Sequence, residues 1–296
     1  MELFDNLNLA MFSGKGGVGK TTNSCAFAAR WAKKFPDEKV LLISTDPAHS
    51  LGDVLQIEVT DTPMPLESLP NLLVRALDAN LLLEEFKERY GDVLEVLVER
   101  GSFVEGEDLT PVWDLDWPGL DELMGLLEIQ RLCNEKVVDR VVVDMAPSGH
   151  TLNLFKLMDF LDTLLNSLDL FQQKHQYIKK SFAGDYTPNE VDEVLQNLKD
   201  ELAAGRHLLQ DSPNTTCLVV ALPEPMSFQE TRRFLDSLKK IKIPYGAIFV
   251  NQIVIDKNSN GDRYQEQQKL VNKFIELAGE KPVCLIPQQE SEPLGI

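Results

Sequence analysis

Residues Gly14 to Thr22 read GKGGVGKTT, directly after an apolar run from Leu7 to Phe12 and before a helical pattern from Thr22 to Lys34. The stretch fits G-x-x-x-x-G-K-[ST] at Gly14, Gly19, Lys20 and Thr21, in the strand, loop and helix context that this pattern requires. Gly14, Gly16, Gly17 and Gly19, with Val18 among them, let successive backbone N–H groups curl around phosphate oxygens. The helix N-terminus around Thr22 adds a positive partial charge, Lys20 is placed to reach the β- and γ-phosphates, and Thr21 to ligate Mg²⁺. A glycine-rich turn without a ligand would hold a lysine and a polar loop here for no packing gain.

A loop of this kind needs a parallel sheet behind it, and the rest of the chain supplies one. Short apolar runs lie at Leu7 to Phe12, Val40 to Ser44, Leu72 to Ala76, Arg140 to Asp144, Cys217 to Leu222, Tyr245 to Val250 and Val283 to Ile286, with helical patterns between them. Alternation of this type predicts an α/β fold, a mostly parallel, doubly wound sheet covered on both faces. Two connections are too long for ordinary crossovers, which predicts an α-helical subdomain built from insertions near 80–133 and 154–209. The 296 residues are then one domain, 1–296, carrying that appendage.

The formal net charge is −18 and the basic residues come at most in pairs, such as Lys33 and Lys34. A sequence-independent grip on nucleic acid or on anionic lipid is therefore not expected. No stretch approaches the roughly 20 apolar residues of a membrane span. The N-terminus, with Glu2 and Asp5, lacks the basic start of a signal peptide, so a cytoplasmic protein without stable membrane insertion is expected. Four cysteines, Cys25, Cys133, Cys217 and Cys284, stand singly with no C-x-x-C pair, which predicts reduced thiols. The histidines His49, His150, His175 and His207 are too far apart in sequence to predict a ligand cluster.

The second lysine of the loop, Lys15, gives the variant form GKGGVGKT, and here the chain resembles the deviant Walker-A P-loop ATPases. STDPAHSLGDVL (Ser44 to Leu55) resembles the first switch segment of their ArsA/Get3 family. VVVDMAPSGHTLNL (Val141 to Leu154) resembles that family's Walker-B and second switch segment. PGLDELMGLLEI (Pro118 to Ile129), LPEPMSFQETRR (Leu222 to Arg233), FVNQIV (Phe249 to Val254) and the terminal LIPQQESEPLGI resemble it too, so the likeness covers nearly the whole chain. Partition and septum-placement ATPases fit less well, because a basic DNA-facing patch and a C-terminal basic amphipathic helix are both missing.

The resemblance implies an Mg²⁺-dependent ATP hydrolase with defined roles. Asp46 is the carboxylate that polarises the attacking water, by orientation more than by proton abstraction since an aspartate is a weak base at neutral pH. Asp144 is the Walker-B carboxylate that holds Mg²⁺ through water. Lys15 reaches phosphates bound by the other subunit, so the active unit is a homodimer. Glu224 lies near the partner's nucleotide, Asn251 reads the adenine edge, and Pro287 borders the nucleotide. His49 and His150, in the switch segments, have hydrogen-bonding rather than catalytic parts.

The departures from the family matter as well. Where relatives carry a zinc-binding C-x-x-C after the VNQ motif, this chain has DKNSNGDRYQEQQ (Asp256 to Gln268), so no zinc clasp is expected. The chain stops at Ile296 inside a family motif, which suggests a further segment and leaves it open. From Leu154 an apolar stripe runs through Leu157, Met158, Leu161, Leu164, Leu165 and Leu168, a pattern that reads first as packing and dimer closure. In targeting-factor relatives such helices form a methionine-rich groove for a hydrophobic or membrane-protein client. Here Met124, Met145 and Met158 are few. The alternative is an ATP-driven switch or energising subunit for a partner protein, with no hydrophobic client.

Overall fold

The computed structural model describes residues 2–46, 50–102, 120–146, 190–255, 261–291 and 293–295, with isolated positions 159, 162, 163, 166, 167, 169, 170, 173 and 177. In chain order these form β1 (Leu9–Gly14), α1 (Lys20–Lys34), β2 (Val40–Ser44), α2 (Ser50–Leu55), β3 (Met64–Leu66), β4 (Leu69–Ala76), α3 (Ala79–Ser102) and α4 (Leu120–Asn134). There follow β5 (Arg140–Asp144), α5 (Glu190–Gln210), β6 (Thr215–Ala221), α6 (Pro225–Lys240), β7 (Tyr245–Ile253), α7 (Gly261–Ala278) and β8 (Val283–Pro287).

The strands make one eight-stranded sheet in the order β3-β4-β2-β5-β1-β6-β7-β8. Every pairing is parallel except β3 with β4. The α/β doubly wound reading therefore holds. From β1 the chain winds outward one way to β2, β4 and β3 and the other way to β6, β7 and β8. The carboxyl ends around β1 thus form the crevice in which open parallel sheets bind their ligands.

The inner strands are buried on both faces, so they read as unbroken apolar runs. Along β1, Leu9 and Met11 face a core shared with α3 to α7, while Ala10 and Phe12 face a second core under α1 and α2. Phe12 meets Phe27 of α1 edge to face at 5.4 Å, and Phe27 packs on Trp31 at 4.7 Å. Trp31 is 0% exposed; each such side chain contributes about 1.5–3 kcal/mol by leaving water. Leu82 and Tyr90 of α3, Leu123, Met124 and Ile129 of α4, and Leu198 and Leu202 of α5 belong to the same core as the sheet.

Three differences from the sequence reading have physical causes. The edge strand β3 is missed because Pro63 and Pro65 signal a loop; Pro65 is tolerated only because an edge strand needs fewer N–H donors. β1 runs on through Ser13 and Gly14, which pair with Val219 and Val220 of β6. Finally, α1 begins at Lys20 rather than Thr22, since Gly19 already serves as its N-cap. The apolar stripe at Leu157, Met158, Leu161, Leu164, Leu165 and Leu168 lies outside the described residues, as do His49, His150 and residues 256–260.

One buried ionic link ties the helices to the sheet. Arg75 of β4 donates to both oxygens of Asp61 at 3.2 and 3.0 Å and to Glu128 of α4 at 2.5 Å. Burial works against the Glu128 charge, yet the Arg131 and Arg75 guanidiniums outweigh it and hold the carboxyl below its usual range. Among the described residues, no helix is long and apolar enough to cross a membrane.

Candidate active site

The glycine-rich loop leaves the sheet at its centre. A β-carbon on Gly14 would come within 2.3 Å of the Val220 carbonyl oxygen of β6, so only glycine lets β1 run this far against its neighbour. At the far end of the loop Gly19 takes φ 91°, ψ 30°, a left-handed conformation that other residues adopt at a cost. Asn251, near the carboxyl end of β7, clasps this turn: its Nδ2 donates to the Val18 carbonyl at 2.9 Å and its Oδ1 accepts from the Gln252 N–H at 2.9 Å. In this conformation one amide N–H of Asn251 therefore holds the loop. Gly16 and Gly17 are exposed, and a side chain on either would meet nothing within 4 Å. Val18 is buried, while Thr21 and Thr22 are half-buried in the first turn of α1.

Two charged groups sit beneath the loop. Lys20 is buried, and its Nζ donates to the Lys15 carbonyl at 3.4 Å. Burial draws its pKa down, while Asp144 and Asp46 pull it up. Asp144 ends β5, beside Phe12 of β1 and Ser44 of β2. It is 0% exposed, and among the described residues neither carboxylate oxygen accepts a hydrogen bond of good geometry, although the Thr21 and Ser24 hydroxyls lie close enough to favour its charge. Burial pushes its carboxyl up to about 6 and the charge of Asp46 adds to the rise, against the pull of Thr21, Lys20 and Ser24. A buried carboxylate so sparsely partnered is costly unless a cation completes it. The Thr21 hydroxyl lies 3.2 Å from the Ser50 hydroxyl at the start of α2. Asp144 and Thr21 supply hard oxygen donors of the kind Mg²⁺ takes, so the residues present fit that ion.

Asp46 follows β2 by two residues, is half-buried, and its N–H donates to Ser44 Oγ at 3.2 Å. Lys15 turns away from its own loop. Its Nζ donates to Met226 Sδ at 3.1 Å and pairs with Glu230 Oε1 at 3.4 Å, both on α6, with the lysine side chain 40% exposed. Glu224 is the exposed N-cap residue of α6 and makes no side-chain cap; Pro225 opens the helix instead. Pro287 ends β8 beside Ile253 of β7 and is exposed.

The carboxyl ends of β1, β2, β5 and β7 thus gather the loop, Asp46, Asp144 and Asn251, while Glu224 and Pro287 sit on the rim of that end. The sequence reading overlooked Ser50, Thr45, Met226 and Glu230. Ser50 and Thr45 stand inside the quoted switch segment, and Met226 and Glu230 inside LPEPMSFQETRR, but only the fold shows what each touches.

The thiols are inert by the same reasoning. Burial raises Cys133 to about 11 and Cys217 to about 12, and drives Cys25 and Cys284 up as well, so none offers a thiolate near neutral pH. Among the described residues no group of three or more His, Cys, Asp or Glu side chains is arranged to hold a metal ion.

The family described as anion-transporting ATPase (ArsA ATPase) matches residues 7–296. An "ATPase ASNA1 homolog" of Dictyostelium discoideum is 31% identical, over 99% of this chain and 87% of the relative. The "Putative arsenical pump-driving ATPase 2" of Aquifex aeolicus is 31% identical, over 91% of this chain and 87% of the relative. The "ATPase get3" of Pyrenophora tritici-repentis is 30% identical, over 95% of this chain and 86% of the relative.

Proposed function

As a member of the anion-transporting ATPase (ArsA/Get3) family, the chain is an ATP hydrolase, and we propose that it acts in the cytoplasm as a homodimer switched by Mg²⁺ and ATP to handle a hydrophobic or membrane-protein client. The observation that carries the nucleotide part is Asp144, fully buried beside Thr21 and Lys20, with neither oxygen in a hydrogen bond of good geometry among the described residues. Thr21 directly, and Asp144 through water, would hold Mg²⁺, which neutralises phosphate charge when bound. The chain's own part is positional. Backbone N–H groups of Gly14 to Gly19 grip phosphate oxygens, Lys20 offsets charge on the terminal phosphoryl group, and Asp46 orients the water that displaces it.

Lys15 supports the dimer. Its ammonium is held on α6 by Glu230 and Met226 rather than over its own loop, where a second subunit's phosphates could compete for it. That pair is half-exposed and weak, worth roughly 0.2–1 kcal/mol after solvent screening. Each dimer would release two such pairs, so sedimentation with MgATP is expected to show Glu230→Gln dimerising about two- to thirtyfold more tightly than the parent. Lys15→Ala is expected to dimerise more weakly; equal dimerisation and equal turnover in all three proteins would refute the role of Lys15 across the interface. The dimer is proposed without zinc, because Asp256 to Gln268 offers neither cysteine nor histidine. Glu224, Asn251 and Pro287 are proposed to border the nucleotide.

The family resemblance supports the client, and the apolar stripe from Leu157 to Leu168, in the insertion near 154–209 of a proposed single domain over 1–296, is the segment that would receive it. One observation favours the other reading, an energising subunit for a partner protein: Met124 and Met145 are buried at 3% and 7% exposure, so they add nothing to a surface groove. Native capture on the ATP-trapped protein separates the two. Tail-anchored membrane proteins in the eluate support the client reading; a single stoichiometric partner, soluble or membrane, defeats it.

A further inference from the structure

We infer that Thr45 is a positioning residue that clamps the segment carrying Asp46 to the segment carrying Asp144 and seats both against α4. The inference rests on the reading of Asp46 as the residue that orients the water. β2 and β5 lie side by side with Ser44 opposite Asp144, and one residue later the ladder would normally fray. Instead the Thr45 N–H donates to the Asp144 carbonyl at 3.0 Å, and the Thr45 hydroxyl accepts from the Ala146 N–H at 3.2 Å. The side chain takes over from the backbone as β5's partner. Met145, between those two residues, donates to the Phe12 carbonyl of β1 at 3.0 Å, so the end of β5 is fixed from both sides.

The third contact is apolar. Gly125 lies in the middle of α4, where glycine weakens the helix itself. A β-carbon there would stand 3.2 Å from Thr45 Cγ2 and 3.2 Å from Leu77 Cδ1. Leu77 in turn donates its N–H to the Ser44 carbonyl at 2.9 Å. The glycine lets α4 close on the switch segment, and the threonine methyl fills the contact. A hydroxyl acceptor and a methyl on one β-carbon are what threonine alone offers; valine keeps the shape without the acceptor, and serine keeps the acceptor without the methyl.

The test is steady-state hydrolysis with ATP affinity and melting temperature measured in parallel. Thr45→Val is expected to lower kcat about tenfold, the scale of a slightly misplaced reacting group, with ATP affinity within about twofold of the parent. Thr45→Ser is expected to restore most of the rate. Thr45→Val at the parental kcat, or Thr45→Ser as slow as Thr45→Val, overturns the inference. Should Thr45→Val fail to fold, Gly125→Ala decides: it is expected to slow turnover, and Gly125→Ala with Thr45→Ser to recover part of the loss, because the lost methyl relieves one of the two 3.2 Å contacts and leaves that with Leu77. A double variant no faster than Gly125→Ala overturns the inference too. Asp46→Asn in the same assay keeps the two readings apart. Parental turnover there defeats the role of Asp46, whereas a slow Asp46→Asn beside an unimpaired Thr45→Val defeats the clamp alone.

Discussion

Asp46→Asn is expected to bind MgATP within about twofold of the parent and to hydrolyse it at least about a hundredfold more slowly, the scale on which a positioned acid or base contributes. The asparagine keeps the size of the side chain and leaves the backbone N–H bond to Ser44 Oγ in place, so the loss isolates the carboxylate. Single-turnover measurement of phosphate release, after filling the site with radiolabelled ATP, checks it. A rate equal to the parent's would remove Asp46 from the reaction. The same variant holds the protein in its ATP state, which is the form needed for capture of a client.

Asp144→Asn is expected to move stability and activity in opposite directions. In metal-free protein the carboxyl is pushed up to about 6 from an ordinary 3.8, chiefly by burial. A raised carboxyl means that the native state binds the proton more tightly than the unfolded chain, so stability falls as pH climbs between about 4 and 6 and the full cost applies above that. The cost is about 3 kcal/mol at neutral pH. An asparagine avoids the buried charge but keeps an amide in need of partners, which returns part of the gain. Chemical denaturation in the presence of a chelator should therefore find the variant about 1–2 kcal/mol more stable at pH 7.5. At pH 4 that advantage should shrink, and Mg²⁺-dependent hydrolysis should be lost. A variant less stable than the parent at pH 7.5 would mean that Asp144 has a partner in the native protein.

Much of this was legible in the chain because β1, β2, β5 and β6 are covered on both faces and the apolar run marks each without ambiguity. The glycine loop was legible for a different reason, since its conformation is dictated by backbone chemistry and not by distant contacts. β3 was not, because an edge strand with prolines has no pattern to distinguish it from a turn. Thr45, Glu230 and Met226 were not either. Their parts depend on which segments the sheet order brings together: Thr45 meets Ala146 across β2 and β5, and Lys15 meets α6 more than 200 residues away. Asn251 shows the same limit from the other side, as a residue singled out from the motif whose amide turns out to hold Val18.

That clasp has a consequence for how a nucleotide enters. A loop of four glycines left to itself would sample many conformers, and a ligand would have to freeze it on arrival. With β7 gripping Val18 and Gly19 fixed as the start of α1, the loop is preorganised, and its ordering entropy is lost during folding instead. On the proposed binding role of this loop, nucleotide would arrive at a mould already set, and exchange of product for substrate would not wait for the loop to reassemble.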